Sequence, residues 1–131
     1  MTQEIDRRRL LRLFESEAEK HLEKLNNGLL NLKKSPEDLE QIKAVFRETH
    51  TLKGSAKLLG IDEISQISQA VEDIFANLEA KKIKFSSGLA DSIFKALDLI
   101  KVFVDKTIKN EKVDIDFSEI CQELRGIITD C

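Results

Sequence analysis

The sequence is poor in chain breakers. Its 131 residues include one proline and five glycines, too few for the many turns an all-β domain needs. No apolar run approaches the ~18 residues a membrane-spanning helix requires, and residues 1–13 carry too many charges for a signal peptide. Neither sign of charge dominates. The 21 Lys and Arg set against 24 Asp and Glu leave a net charge of −3, which excludes a nucleic-acid binder working through bulk charge. Cysteine is scarce. Cys121 and Cys131, ten residues apart, would lie about 15 Å from each other on one helix, beyond disulfide reach. Both read as free thiols of a reducing, cytoplasmic compartment. With only His21 and His50, a multi-histidine metal site is hard to build. The Glu-x-x-His spacing of carboxylate metal bundles is missing as well, since Ala18 and Arg47 hold those places. No resident metal is expected.

What is present suits a helical protein. Hydrophobic residues make up 41% and charged residues 34%, enough apolar material for a core in one domain. Apolar positions recur at steps of three and four in five segments, predicting helices over about 6–33, 36–59, 63–82, 87–108 and 117–129. The first carries Leu11, Phe14, Ala18, Leu22, Leu25, Leu29 and Leu32 on one stripe, and its His21 reads as an ordinary surface residue. Ser35-Pro36-Glu37-Asp38 reads as a start signal: a serine cap, a proline at the first helical position, then two acids for the helix dipole. The second helix buries Leu39, Ile42, Val45, Phe46, Thr49, Leu52, Ala56 and Leu59, and Gly60 ends it. Asp62 is placed to cap the third helix, Ser86 or Ser87 the fourth, and Asp116-Phe117-Ser118-Glu119 resembles a capping box for the fifth. A polar connector covers residues 109–114. The links before helices two and three are a few residues long, so neighbours run antiparallel. The expected fold is an all-α, antiparallel up-down four-helix bundle with a fifth C-terminal helix on its side or end. Gly28 and Gly126 read as close-packing or fraying positions.

One segment breaks the rules of its own helix. In His50-Thr51-Leu52-Lys53-Gly54-Ser55-Ala56 a glycine stands in mid-helix, at a cost of about 1 kcal/mol relative to alanine. Helical side chains lean toward the N-terminus, so residue 54 would cover the ground above residue 50. Glycine there leaves His50 accessible. Lys43, Arg47, His50, Lys53 and Lys57 cluster on one side, opposed only by Glu48, a local charge of +3 that favours an anion or an acidic partner. A hairpin of helices two and three folded about Ile61 puts Lys53 level with Gln69, and His50 level with Glu72. The latter two are each eleven residues from the fold, about 16 Å along the axis. Glu72 lies beside the Ile64–Ile67–Val71–Ile74 stripe, where it can accept a hydrogen bond from one ring nitrogen of His50. That would fix the tautomer and make the other nitrogen the better nucleophile.

The His50–Ala56 segment with Gly60 resembles the signature of histidine-containing phosphotransfer (HPt) domains, most of all the N-terminal HPt domain of CheA-type chemotaxis histidine kinases. The likeness extends to the long first helix, Ser35-Pro36, Phe46-Arg47, Glu72, and Phe117-Ser118-Glu119-Ile120-Cys121 with Leu124-Arg125 in the fifth helix. It implies that His50 is phosphorylated, that Lys53 supports the phosphoryl group, that Glu72 orients the ring and that Gly54 gives access. It further implies that a separate ATP-binding kinase domain phosphorylates His50, and that the phosphoryl group then passes to an aspartate of a response-regulator receiver. Such domains often carry a second histidine three residues before the glutamate. Here that position is Gln69, which can hydrogen-bond but cannot titrate.

No Walker-type phosphate loop is present, and no carboxylate cluster surrounds His50. ATP and Mg²⁺ are therefore expected from the partner domains. The chain reads as one HPt domain, a monomeric phosphoryl carrier not catalytic alone, and a fragment of a longer kinase. Lys43, Arg47 and Lys57 are the expected partner-binding residues. A complete kinase core is excluded by length, and Thr51 follows His50 where the dimerisation type has an acid. The other alternative is a non-catalytic helical interaction module, a degenerate HPt domain, which would predict loss of the histidine.

Overall fold

Five helices make up the computed structural model, which describes residues 2–111 and 115–129. They are α1 (Thr2–Lys34), α2 (Leu39–Leu58), α3 (Asp62–Glu79), α4 (Ser87–Ile108) and α5 (Ser118–Thr129), and no strand occurs among the described residues. Cys131 and positions 112–114 of the expected connector lie outside the described residues.

The apolar stripes become one core. Phe14, Ala18, Leu22, Leu25, Leu29 and Leu32 of α1 meet Ile42, Val45, Leu52 and Ala56 of α2, with Ile64, Ile67, Val71 and Ile74 of α3 and Ile93, Leu97 and Ile100 of α4 in the same cluster. Truncating a fully buried member such as Leu52 costs about 2–5 kcal/mol. Leu11, Phe46 and Leu59 are only half-buried at its edge. Leu39, expected inside, is exposed, because it sits in the first turn of α2, before the helix reaches the core at Ile42.

α1 packs against α2 and α4, and α3 packs against the same two, so the first four helices form a square with α1 and α3 on opposite corners. α5 lies on the α3–α4 side and touches neither α1 nor α2 among the described residues. It is anchored by the buried Cys121 and Leu124 and by the edge-on contact of Phe117 with Phe103, ring centroids 5.9 Å apart. Burial pushes the Cys121 thiol up from its ordinary value, with Arg125 opposing, which suits a packing residue rather than a reactive thiolate.

Several helix ends differ from expectation. Ser35 and Pro36 do not open α2. Asp38 accepts from the Gln41 backbone N–H as N-cap, and its own N–H donates to the Ser35 carbonyl at 3.1 Å. Ser35-Pro36-Glu37-Asp38 is thus a β-turn with proline at its second position, a place that its fixed φ suits equally well. Asp62 does not cap α3. Ile61 holds that position with no side-chain hydrogen bond, and Asp62 and Glu63 act on the dipole from the first turn. α3 ends at Glu79, short of the expected 82, because Lys81 adopts φ 61° and the N–H groups of Lys81 and Lys82 return to the Leu78 and Asn77 carbonyls. That is a Schellman stop without glycine. α5 starts at Ser118, with Asp116 accepting from its N–H and hydroxyl. Ser86 caps α4 through the Leu89 N–H, and α4 spans the expected residues. No helix among the described residues is long and apolar enough to cross a membrane.

Two small residues inside the bundle make opposite predictions. A Cβ on Gly28 would lie 2.6 Å from Cγ2 of the buried Val45, a β-branched side chain that cannot swing aside. Gly28→Ala is expected to lower stability by about 1–3 kcal/mol despite alanine's helix propensity. The Ser68 hydroxyl is buried with no hydrogen-bond partner among the described residues, so Ser68→Ala is expected to raise stability by about 1 kcal/mol. Urea melts of the two variants beside the wild type check both signs.

Candidate functional site

The α2–α3 hairpin places the site. α2 ends on Leu59, Gly60 takes φ 72°, and the N–H groups of Gly60 and Ile61 donate to the Lys57 and Ala56 carbonyls. Ile61 is buried and becomes the N-cap of α3 at once. With no slack in the link, the register of the two helices is set, and both level pairs meet. His50 Nδ1 lies 3.1 Å from Glu72 Oε2, and Lys53 Nζ lies 3.1 Å from Gln69 Oε1.

The His50 side chain is 62% exposed, while that of Glu72 is only 12% exposed. The carboxylate is therefore held by the protein and the imidazole is offered to solvent. An ionised carboxylate only accepts, so Nδ1 carries the proton and Nε2 keeps its lone pair. Nε2 makes no hydrogen bond among the described residues. The ring also stacks on Phe46, one turn earlier, with centroids 6.5 Å apart and planes 8° from parallel. The surface at Gly54 is open, since a Cβ added there would meet nothing within 4 Å. Close helix packing is thus no reason for this glycine.

Lys53 is drawn inward rather than standing with the exposed cations. Its ammonium donates to Glu72 Oε1 and to Gln69 Oε1, each at 3.1 Å, and lies 2.9 Å from Glu72 Oε2. These acceptors occupy it, so in this state Lys53 holds Glu72. Supporting a phosphoryl group would require it to release one of them. Gln69 in turn donates from Nε2 to Asp73 Oδ1 at 2.8 Å.

Arg47 and Lys57 are exposed and Lys43 is half-buried, and none of the three forms an ion pair among the described residues. Glu48 does not offset them. It turns to the α1 side of α2 and pairs with His21, with Lys24 at 4.0 Å. His21 is consequently no ordinary surface residue but a largely buried link between α1 and α2, 13% exposed.

Phe46 was legible only as a core residue, and its stacking on His50 follows from their i, i+4 spacing. Asp73 gave no signal beyond its i, i+4 place after Gln69. Leu58, 89% exposed and one turn beyond Gly54, belongs to the same outer face and was missed because it interrupts no pattern. Among the described residues no group of three or more His, Cys, Asp or Glu is placed to hold a metal ion.

Comparison with known proteins identifies the family. The Hpt domain family model matches residues 9–108. The chain is 31% identical over 118 residues to the chemotaxis protein CheA of Halobacterium salinarum, covering 90% of this chain and 18% of that protein. The chain spans less than a fifth of the length of curated CheA relatives that it matches. A solution structure of the histidine phosphotransfer domain of CheA is 34% identical with a TM-score of 0.81, covering 88% of this chain and 89% of that one. The phosphorylated P1 domain of CheA3 from R. sphaeroides, solved in complex with CheY6, shares the fold at TM-score 0.84 and 20% identity, over 95% of this chain and 98% of that one. An exposed mid-helix histidine tied to a carboxylate on the next helix is thus found in a chain that belongs to the Hpt domain family.

Proposed function

We propose that His50 is the phosphoacceptor of a two-component relay, charged by an ATP-binding kinase domain of the same or a partner chain and discharged to an aspartate of a response-regulator receiver. The observation that carries this reading is the imidazole itself. Glu72 holds its Nδ1–H, and Nε2 is open to solvent beside the gap at Gly54.

In the charging step the Nε2 lone pair attacks the γ-phosphorus of ATP. The N–P bond forms, the bond to the bridging oxygen breaks, and ADP leaves. The Nδ1 proton stays between the ring and Glu72, whose charge balances the positive charge developing on the imidazole. In the second step the N–P bond breaks as an aspartate oxygen takes the phosphoryl group, and the neutral ring returns. The domain contributes positioning and electrostatics, which dominate phosphoryl transfer. ATP and Mg²⁺ come with the partner domains in this reading. The domain acts as a monomeric carrier, and it belongs to a larger cytoplasmic kinase of the CheA type.

The partner face is the outer ridge of α2. Lys43, Arg47 and Lys57 surround His50 and suit the acidic aspartate site of a receiver. Leu58 adds an apolar contact next to Gly54. The CheA3 domain, which has this fold, was solved with a CheY protein, and that supports a receiver as the occupant.

Incubation with a CheA-type kinase domain and labelled ATP tests the acceptor. His50→Gln is expected to abolish acid-labile, base-stable labelling without loss of helicity, since the side chain is exposed. His21→Gln should retain labelling while losing some stability with its Glu48 contact. Labelling that survives in the His50 variant would overturn the assignment.

Access is tested at Gly54. With nothing near its Cβ, Gly54→Ala is expected to stabilise the domain by up to about 1 kcal/mol and to slow transfer to a receiver in part. Gly54→Leu should keep its helical content and lose transfer. Stopped-flow transfer rates beside thermal melts separate the two effects.

A further inference from the structure

We propose that Asp73 is a positioning residue for His50, acting through the amide of Gln69 and the ammonium of Lys53. The contacts are continuous through the Glu72 carboxylate. Asp73 Oδ1 accepts from Gln69 Nε2 at 2.8 Å, Gln69 Oε1 accepts from Lys53 Nζ at 3.1 Å, Lys53 Nζ donates to Glu72 Oε1 at 3.1 Å and lies 2.9 Å from Oε2, and Oε2 is 3.1 Å from His50 Nδ1.

Each link has a direction forced by chemistry. The Asp73 carboxylate only accepts, so the amide must turn its NH₂ toward it. The Lys53 ammonium only donates, so the amide must present its oxygen there. The two ends agree on one orientation of Gln69. Glutamine on its own is a flexible side chain whose amide can rotate or turn to water. Asp73 stands one helical turn beyond it on α3 and removes that freedom. A Gln69 oxygen held toward Lys53 keeps an ammonium donor engaged, so that Lys53 stays on Glu72 rather than reaching toward the His50 ring or solvent. Glu72 then keeps the geometry that places the proton on Nδ1. An imidazole at position 69 could serve Lys53 in only one of its protonation states, whereas an amide does not itself titrate. Asp73 touches neither the reacting nitrogen nor the phosphoryl group, and its effect on His50 passes entirely through Gln69.

This inference rests on His50 as the phosphoacceptor, but its first readout does not need phosphate. Long-range ¹H–¹⁵N spectra of the ¹⁵N-labelled full chain at neutral pH report which His50 nitrogen carries the proton. The wild type is expected to show Nδ1–H as the main form. Asp73→Ala should shift His50 toward a mixture of tautomers and lower its phosphorylation rate on the order of fivefold, the worth of one lost hydrogen bond. Asp73→Asn, which keeps an accepting oxygen, should restore both. Gln69→Leu should mimic Asp73→Ala, and adding Asp73→Ala to it should change nothing more. An Asp73→Ala chain with a wild-type tautomer ratio overturns the proposal, as does an Asp73→Ala effect that persists in the Gln69→Leu background. A wild-type chain that never accepts phosphate but shows the expected tautomer shifts would instead remove the acceptor reading and leave the positioning role standing.

Discussion

The site depends on the turn at Gly60. The backbone passes from α2 to α3 through one left-handed residue, φ 72°, and Ile61 is at once the last bonded residue of the α2 stop and the N-cap of α3. A side chain at position 60 would strain that conformation, and a longer link would let α3 slide against α2. A slip of one residue in α3 would turn Glu72 through about 100° on its helix, away from His50. The burial of Ile61, Ile64 and Ile67 just past the turn locks the register by packing. A chemical requirement on one imidazole is therefore met by an apolar constraint some 16 Å away along the helices.

Within this frame, Glu72 and Lys53 form a largely buried ion pair, 12% and 18% exposed. Removing two charges from water costs several kcal/mol unless every lone pair and proton is satisfied. Here both charges have partners. Lys53 donates to Glu72 Oε1 and Gln69 Oε1 and lies against Glu72 Oε2, while Glu72 is held by Lys53 and His50. The pair contributes orientation rather than net stability. With the carboxylate held from behind by an ammonium, His50 is the one partner free to change its bonding. Phe46 lies against one face of the ring, and the surface at Gly54 is open.

The helices, the core stripes and the His50–Glu72 pairing were legible because each rests on periodicity or on a residue that contradicts its surroundings. Gly54 could be read because a mid-helix glycine is costly, and Glu72 because an antiparallel hairpin fixes heights. Features with two equally good local explanations were not legible. Ser35-Pro36 fits a helix start and a β-turn alike, and only the Asp38 cap decides between them. Lys81 ends α3 in a conformation that no residue type announces. His21 and Glu48 are both unremarkable helical residues whose meeting depends on how α1 rotates against α2. Gly28 was read only as close packing or fraying, and the choice requires Val45 in place. Asp73 shows the same limit at the site itself. The side chain that orients another two links away from the chemistry leaves no mark in composition or spacing.

The placement of α5 follows from the same economy of faces. The four-helix square has two open grooves beside α3, one toward α2 and one toward α4. α5 covers the α4 side, burying Cys121 and Leu124, with Phe117 edge-on against Phe103. Had it packed on the α2 side it would have covered His50, Gly54 and the unpaired cations of the outer ridge. Leaving that ridge uncovered has a physical consequence. Like charges at Lys43, Arg47 and Lys57 repel one another with no acid among them, since Glu48 is tied to α1, and Leu58 stays in water. An acidic, partly apolar partner would relieve both. The packed side of the bundle and its uncovered ridge are thereby kept apart. His50 stands on a helix whose inner face is buried and whose outer face is left uncovered.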